Sequence, residues 1–209
     1  MTARIGISGL PLADSPLGRT ISSTATDIWN DSCAIDELEY ALSFGAVGAT
    51  ANPTIVVDVW NMDPDSWRRR VAELALDRPD ASVSELAWAV VENMSIRGAQ
   101  LLEPVYEAHS GRQGRLSVQT NPMLFRSPAQ MVDQAVGLSG IAPNIIVKLP
   151  ASAAGIGAIE EATFRGVSVN VTVSFTVAQA IAAADAIERG LRRMCRMRRR
   201  PAHRARMPS

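Results

Sequence analysis

The chain has 209 residues, 47% hydrophobic and 20% charged, which fits an ordinary globular protein with one domain of sizeable core or two small ones. Its apolar runs fall far short of the roughly 20 residues a bilayer span needs. Pro11 and Pro16 break the Met1–Leu17 stretch as a secretory leader, and Cys33 and Cys195 make no disulfide framework, so a reducing cytoplasm is the expected setting. The formal charge of zero hides an asymmetry: eight arginines lie beyond Gly190, where there is no acid, leaving residues 1–190 with 13 basic groups against 21 acidic ones, a net charge of −8.

The polar, Pro/Gly/Ser-rich residues 1–26 are expected to form an extended leader. A first strand is expected over Asp27–Asp31, then a helix from Ala34 to Phe44 ended by Gly45. A second strand, Ala46–Thr50, leads through Asn52 and Pro53 into a helical segment, and Asp65–Asp77 is helical again. Ser82 and Glu85 form a capping box ahead of an amphipathic stripe through Val83, Leu86, Val90 and Met94. Arg115–Thr120 reads as a third strand, with a helix opening at Ser127 over Pro128 and Gln130. A fourth strand, Asn144–Leu149, precedes a helix over Ala154–Phe164. A fifth, Val167–Phe175, precedes a long helix capped by Thr176 and Gln179.

Alternating strand and helix signals predict an α/β fold with a parallel sheet, and strand parity narrows the choice. In the fifth strand Val167, Val169, Val171, Val173 and Phe175 share one face, and Ser168, Asn170, Thr172 and Ser174 the other. Lys148 lies opposite Ile145, Val147 and Leu149, Ser117 aligns with Gln119, and Trp29 aligns with Asp31. A doubly wound sheet covered by helices would want both faces apolar. A barrel wants an apolar outer face and can turn its lumen polar near the mouth, so the expectation is an incomplete (β/α)8 barrel of about five βα units over residues 27–190.

Lys148 is the chain's only lysine among 20 arginines. It sits in the apolar run Ile145–Pro150 near a strand's C-terminal end, where poor solvation favours the neutral amine. A neutral amine can attack a ketone to form an imine, which a guanidinium cannot. The alternative is a snorkelling or salt-bridged structural lysine. Asp31, Asn52, Gln119, Asn170 and Thr172 also fall at or near the C-terminal ends of their strands, where barrel enzymes place their sites. Asp31 is the inward carboxylate available as acid or base, Asn52 can hold a substrate hydroxyl, and Gln119 and Thr172 can position a water. Each could instead be a polar residue satisfied by backbone.

Four ordered motifs carry a family resemblance: Trp29-Asn30-Asp31-Ser32, Gly48-Ala49-Thr50-Ala51-Asn52-Pro53-Thr54, Asn144-Ile145-Ile146-Val147-Lys148-Leu149-Pro150-Ala151, and Gly166-Val167-Ser168-Val169-Asn170-Val171-Thr172. The chain resembles the transaldolases and the related fructose-6-phosphate aldolases. The resemblance implies that Lys148 forms the Schiff base and Asp31 is the acid/base. It further implies that Asn52 binds substrate and that Thr172 helps hold the catalytic water; Asn170 and Thr50 are further substrate-binding candidates, and Gln119 a further catalytic one. The implied activity is transfer of a dihydroxyacetone unit between sugar phosphates in the pentose phosphate pathway, without cofactor or metal.

Two departures qualify the expectation. Gln119 stands where many transaldolases have a Glu, and an amide is no general base; the aldolase branch carries Gln there, so aldol cleavage is the alternative activity. A βα unit takes about 30 residues, so the 19 residues after Gly190 cannot supply strands six to eight, nor the phosphate-binding residues the family carries there. An impaired enzyme or a non-catalytic remnant is therefore expected, poorly soluble and self-associating through open sheet edges. Leu191–Ser209 is expected to be a disordered basic extension. Its arginines have no aromatics between them, which disfavours nucleic acid as a partner. His109 and His203 are too separated to suggest a metal centre.

Overall fold

A computed structural model describes residues 16–199. It is α/β, with five strands in one sheet in the sequential order β1-β2-β3-β4-β5, and the β1/β2, β2/β3 and β4/β5 pairs are parallel. The elements run α1 (Pro16–Ser23), β1 (Trp29–Asn30), α2 (Ile35–Ser43), β2 (Gly48–Ala51), α3 (Pro53–Met62), α4 (Pro64–Asp77) and α5 (Val83–Ala108). They continue with β3 (Arg115–Gln119), α6 (Pro128–Ser139), β4 (Ile145–Pro150), α7 (Ala153–Phe164), β5 (Val169–Thr172) and α8 (Val177–Arg199). Sequential parallel strands separated by helices are what the first five units of a (β/α)8 barrel produce, as expected.

The chain divides into two compact units, Met1–Gln119 with Leu138–Ile146, and Thr120–Gly137 with Val147–Ser209. In the first unit, Ala49, Ala51, Leu116 and Val118 are buried on one face of β2 and β3. That face meets α5, where a Cβ on Gly98 would lie 3.3 Å from Leu116 Cδ2 and 3.7 Å from Cys33 Cβ. The backbone of Gly114 shows why only glycine serves there: its φ is +73°, and a Cβ would fall 2.1 Å from the Tyr106 nitrogen. Asn144 is buried beside it and donates through Nδ2 to the carbonyls of Ala99 (2.8 Å) and Gly114 (2.9 Å). This motif residue ties α5, the turn before β3 and the start of β4 together.

In the second unit, α7 and α8 pack through small residues, with Ala158, Ala162, Ala183 and Ala186 all buried. A Cβ on Gly190 would lie 2.5 Å from the Glu160 carbonyl oxygen, so the two helices touch there backbone to backbone. On either side of that contact, Arg189 pairs with Glu160 (2.7 Å), and Arg193 pairs with Glu160 (3.1 Å) and Glu161 (2.7 Å) while its guanidinium stacks 4.2 Å from the Phe164 ring. Hydrogen bonds hold both carboxyls below the usual range, those of Arg189 and then Arg193 for Glu160, and those of Arg165 and then Arg193 for Glu161.

Several expectations are corrected. α1 occupies Pro16–Ser23, within the stretch expected to be an extended leader; the remainder of that leader, before Pro16, lies outside the described residues. β1 is only two residues long. Val83 is 85% exposed, so the buried stripe of α5 starts at Ala89 and Val90. β5 stops at Thr172 because Val173 takes a left-handed φ of 56°, which takes Ser174 and Phe175 out of the strand's alternation and leaves Phe175 84% exposed. α8 continues through Arg199, past Leu191, the expected start of a disordered tail, and its Arg193 meets Glu160 and Glu161 of α7. The rest of that tail, with His203, lies outside the described residues.

Candidate functional site

The candidate residues fall into two groups, one in each unit. In the first unit, the register pairs Trp29 with Gly48 and Thr50 with Ser117, so these residues share the face opposite Leu116 and Val118. Gly48 is required by Trp29: a Cβ there would stand 2.6 Å from the indole. Thr50 is half-buried on this face, and Gln119 ends β3 on the same parity as Ser117. Asp31 follows β1 in a bend and is exposed. Asn52 is the N-cap of α3, its Oδ1 accepting from the Ile55 amide at 3.0 Å with Pro53 in the first turn. Asn52 and Gln119 come together along a small cleft with Trp88 and Val91, about 10 Å³, room for about one water.

In the second unit, the register places Lys148 directly beside Asn170 and Pro150 beside Thr172. In a parallel pair such neighbours point to the same face, so Lys148, Asn170 and Thr172 form one polar cluster opposite the buried Val147 and Leu149. Lys148 is only 9% exposed. Its strand is clamped: Thr120 donates to the Lys148 carbonyl from its amide (3.2 Å) and its Oγ1 (3.3 Å), and Ala151 N–H donates to the Thr172 carbonyl at 2.8 Å. α7 begins immediately beyond, capped by Ser152, whose Oγ accepts from the Gly155 amide at 3.1 Å.

Sequence reasoning treated Gln179 only as half of a helix cap. The box with Thr176 is present, Gln179 N–H donating to Thr176 Oγ1 (3.2 Å) and Gln179 Oε1 accepting from the Thr176 amide (3.1 Å). The same Oε1 also accepts from the Phe175 amide (2.9 Å), and Nε2 donates to the carbonyls of Ala151 (3.0 Å) and Val173 (3.2 Å). The signal was the T-x-x-Q spacing; its reach to the end of β4 has no sequence signature.

A separate cleft of about 170 Å³ in the first unit, lined by Cys33, Asp36, Glu37, Asp63, Trp67 and Arg97 among others, contains none of the candidates. Burial pushes the Cys33 thiol up to about 11, with a bond from its own backbone opposing and the Glu37 charge adding to the rise. Asp63 caps α4, and its hydrogen bonds from Ser66, helped by Arg69 and Arg97, hold its carboxyl below the usual range. No helix among the described residues is long and apolar enough to cross a membrane.

Residues 28–201 match the family model for transaldolase/fructose-6-phosphate aldolase. A transaldolase of Thermobifida fusca is 33% identical over 186 residues, covering 85% of this chain and 49% of that protein. A transaldolase of Mycobacterium marinum is 30% identical over 187 residues, covering 86% and 49% respectively. Transaldolase 2 of Streptomyces avermitilis is 34% identical over 148 residues, 69% of this chain and 39% of that one. The chain thus spans about half the length of the curated relatives it matches. With its five parallel strands in sequence order and its motifs on β2, β4 and β5, the chain belongs to the transaldolase/fructose-6-phosphate aldolase family.

Proposed function

We propose that the chain carries the imine-forming part of a transaldolase-type site, with Lys148 as the reactive amine and sugar phosphates as substrates, working in the cytoplasm in the pentose phosphate pathway. The observation that carries this reading is the nearly buried Lys148 in direct register with Asn170, two residues before Thr172 on the same face. Lys148 adds to the ketose carbonyl and loses water to give the imine. Asp31 takes the proton of the hydroxyl β to it, the bond between the α and β carbons breaks, and its electron pair forms the enamine as an aldose phosphate leaves. The enamine then attacks an acceptor aldehyde, and Thr172 with Gln119 holds the water that hydrolyses the product imine. Thr50, Asn52 and Asn170 bind substrate hydroxyls; the cap on α3 uses the Asn52 carbonyl oxygen, so its Nδ2 is the group assigned to substrate.

Gln119 favours a second reading, aldol cleavage without transfer, because an amide orients a water without ionising. The test incubates the full chain with fructose 6-phosphate, with and without an acceptor aldose phosphate, and adds borohydride. The proposal expects a stable three-carbon adduct, depleted by acceptor if transfer operates and indifferent to it if cleavage alone does. A chain that stays unmodified under both conditions contradicts the reading.

A further inference from the structure

We infer that Gln179 is a positioning residue that holds the end of β5 against the end of β4, and so keeps Thr172 in place beside the Lys148 strand. Its role for the reaction rests on the Schiff-base reading, but the anchor itself stands on geometry alone.

The side chain spends its whole amide on this task. Oε1 accepts from Phe175 and Thr176, and Nε2 donates to the carbonyls of Ala151 and Val173. Ala151 is thereby held from both sides, its N–H on the Thr172 carbonyl and its C=O on Gln179. Between these fixed points lies Val173, a β-branched residue at φ 56°, a conformation such residues avoid unless their surroundings impose it. The turn it makes ends β5 directly after Thr172, on the strand whose Asn170 is the register partner of Lys148. Released, Val173 would relax towards extended backbone and carry Thr172 with it.

Helix capping alone does not explain the residue. A capping box accepts Glu as readily as Gln at this position, because only the acceptor oxygen is used. A carboxylate cannot donate, and Glu would set its charge against the Ala151 and Val173 carbonyl oxygens. Gln179→Glu therefore keeps the cap and breaks the anchor, whereas Thr176→Ala weakens the cap and keeps the anchor.

The experiment uses the full chain as parent, Gln179→Glu, Gln179→Met and Thr176→Ala, with amide hydrogen exchange read at Ala151 and Phe175. At pH 7, Gln179→Glu should exchange Ala151 at least tenfold faster than the parent while Phe175 keeps its protection; Gln179→Met should lose both; Thr176→Ala should leave Ala151 unchanged. Below the carboxylate range, protonated Glu regains one donor and Ala151 protection should recover in that variant alone. A second readout forms the imine with fructose 6-phosphate, dilutes it, and quenches with borohydride at intervals: the Gln179→Glu imine should outlive the parent's at least tenfold, with Thr176→Ala matching the parent. Ala151 exchange within twofold of the parent in both Gln179 variants, or accelerated equally in Thr176→Ala, overturns the anchor. An imine lifetime unchanged while Ala151 is deprotected overturns its link to Thr172. If the parent forms no imine, the Schiff-base reading and the catalytic part of this inference fail together, and the exchange pattern still decides the anchor.

Discussion

The polar residues of β4 and β5 and those at the ends of β1 and β2 are placed by different forces. Lys148, Asn170 and Thr172 lie within or at the end of paired strands, so backbone register alone sets which face they occupy. Asp31 and Asn52 lie just beyond their strands, where local turn and cap chemistry decides: Asp31 is exposed in a bend, and Asn52 spends an oxygen on the Ile55 amide. A candidate within a strand is thus placed by strand pairing, whereas a candidate just beyond a strand's end can also carry a cap. The two roles separate by experiment.

The largest effect on stability is expected at Asn144, the motif residue with a purely structural task. Asn144→Ala leaves two buried carbonyls without their donor and should cost about 2–4 kcal/mol in urea unfolding. A loss below about 1 kcal/mol would break the assignment. Asn52→Ala comes next, at about 1 kcal/mol for the lost N-cap of α3, and it should also weaken substrate binding if the second role is real. Asp31→Asn is the counterpart: at an exposed site it should shift stability by less than about 0.5 kcal/mol, yet lengthen the imine's life before carbon–carbon cleavage. Equal stability losses for Asn52→Ala and Asp31→Asn would erase the distinction.

Smaller effects attach to the α7/α8 contact. Arg193→Ala should lower stability only slightly, and less at high salt, since its ion pairs are partly exposed. Because the Glu160 and Glu161 carboxyls are depressed in the folded chain, their contribution is fully present above the ordinary Glu value of 4.5 and lost as the pH falls through the folded values. The gap between parent and Arg193→Ala should therefore narrow as the pH falls below 4.5; a gap that does not narrow would assign it to the Phe164 stack. The smallest effect is on reactivity: at pH 8 a thiol reagent should label the exposed Cys195 and spare the buried Cys33.

Much of this was legible in the sequence because parity and capping are local. The β4 run Ile145–Pro150 and the helix after Ser82 follow from period and cap, and Lys148 stood out as the only lysine. What escaped depended on distant partners. Val173 has strong strand propensity, yet its positive φ is imposed by a turn closed from α8 by Gln179. Past Gly190, Arg193 of α8 meets Glu160 and Glu161, about 30 residues earlier, and an arginine run in isolation carries no sign of acids waiting on a neighbouring helix. Asn144 resembled its motif neighbours, and only the positions of Ala99 and Gly114 reveal its structural duty.

The most direct test of the central claim maps the borohydride-reduced adduct to a residue. With one lysine in the chain, peptide mass analysis after reduction with fructose 6-phosphate has a single side-chain amine to find. The account predicts the three-carbon adduct on Lys148 in the parent and none in Lys148→Arg. An adduct that persists undiminished in Lys148→Arg, or one confined to the amino terminus, would contradict it.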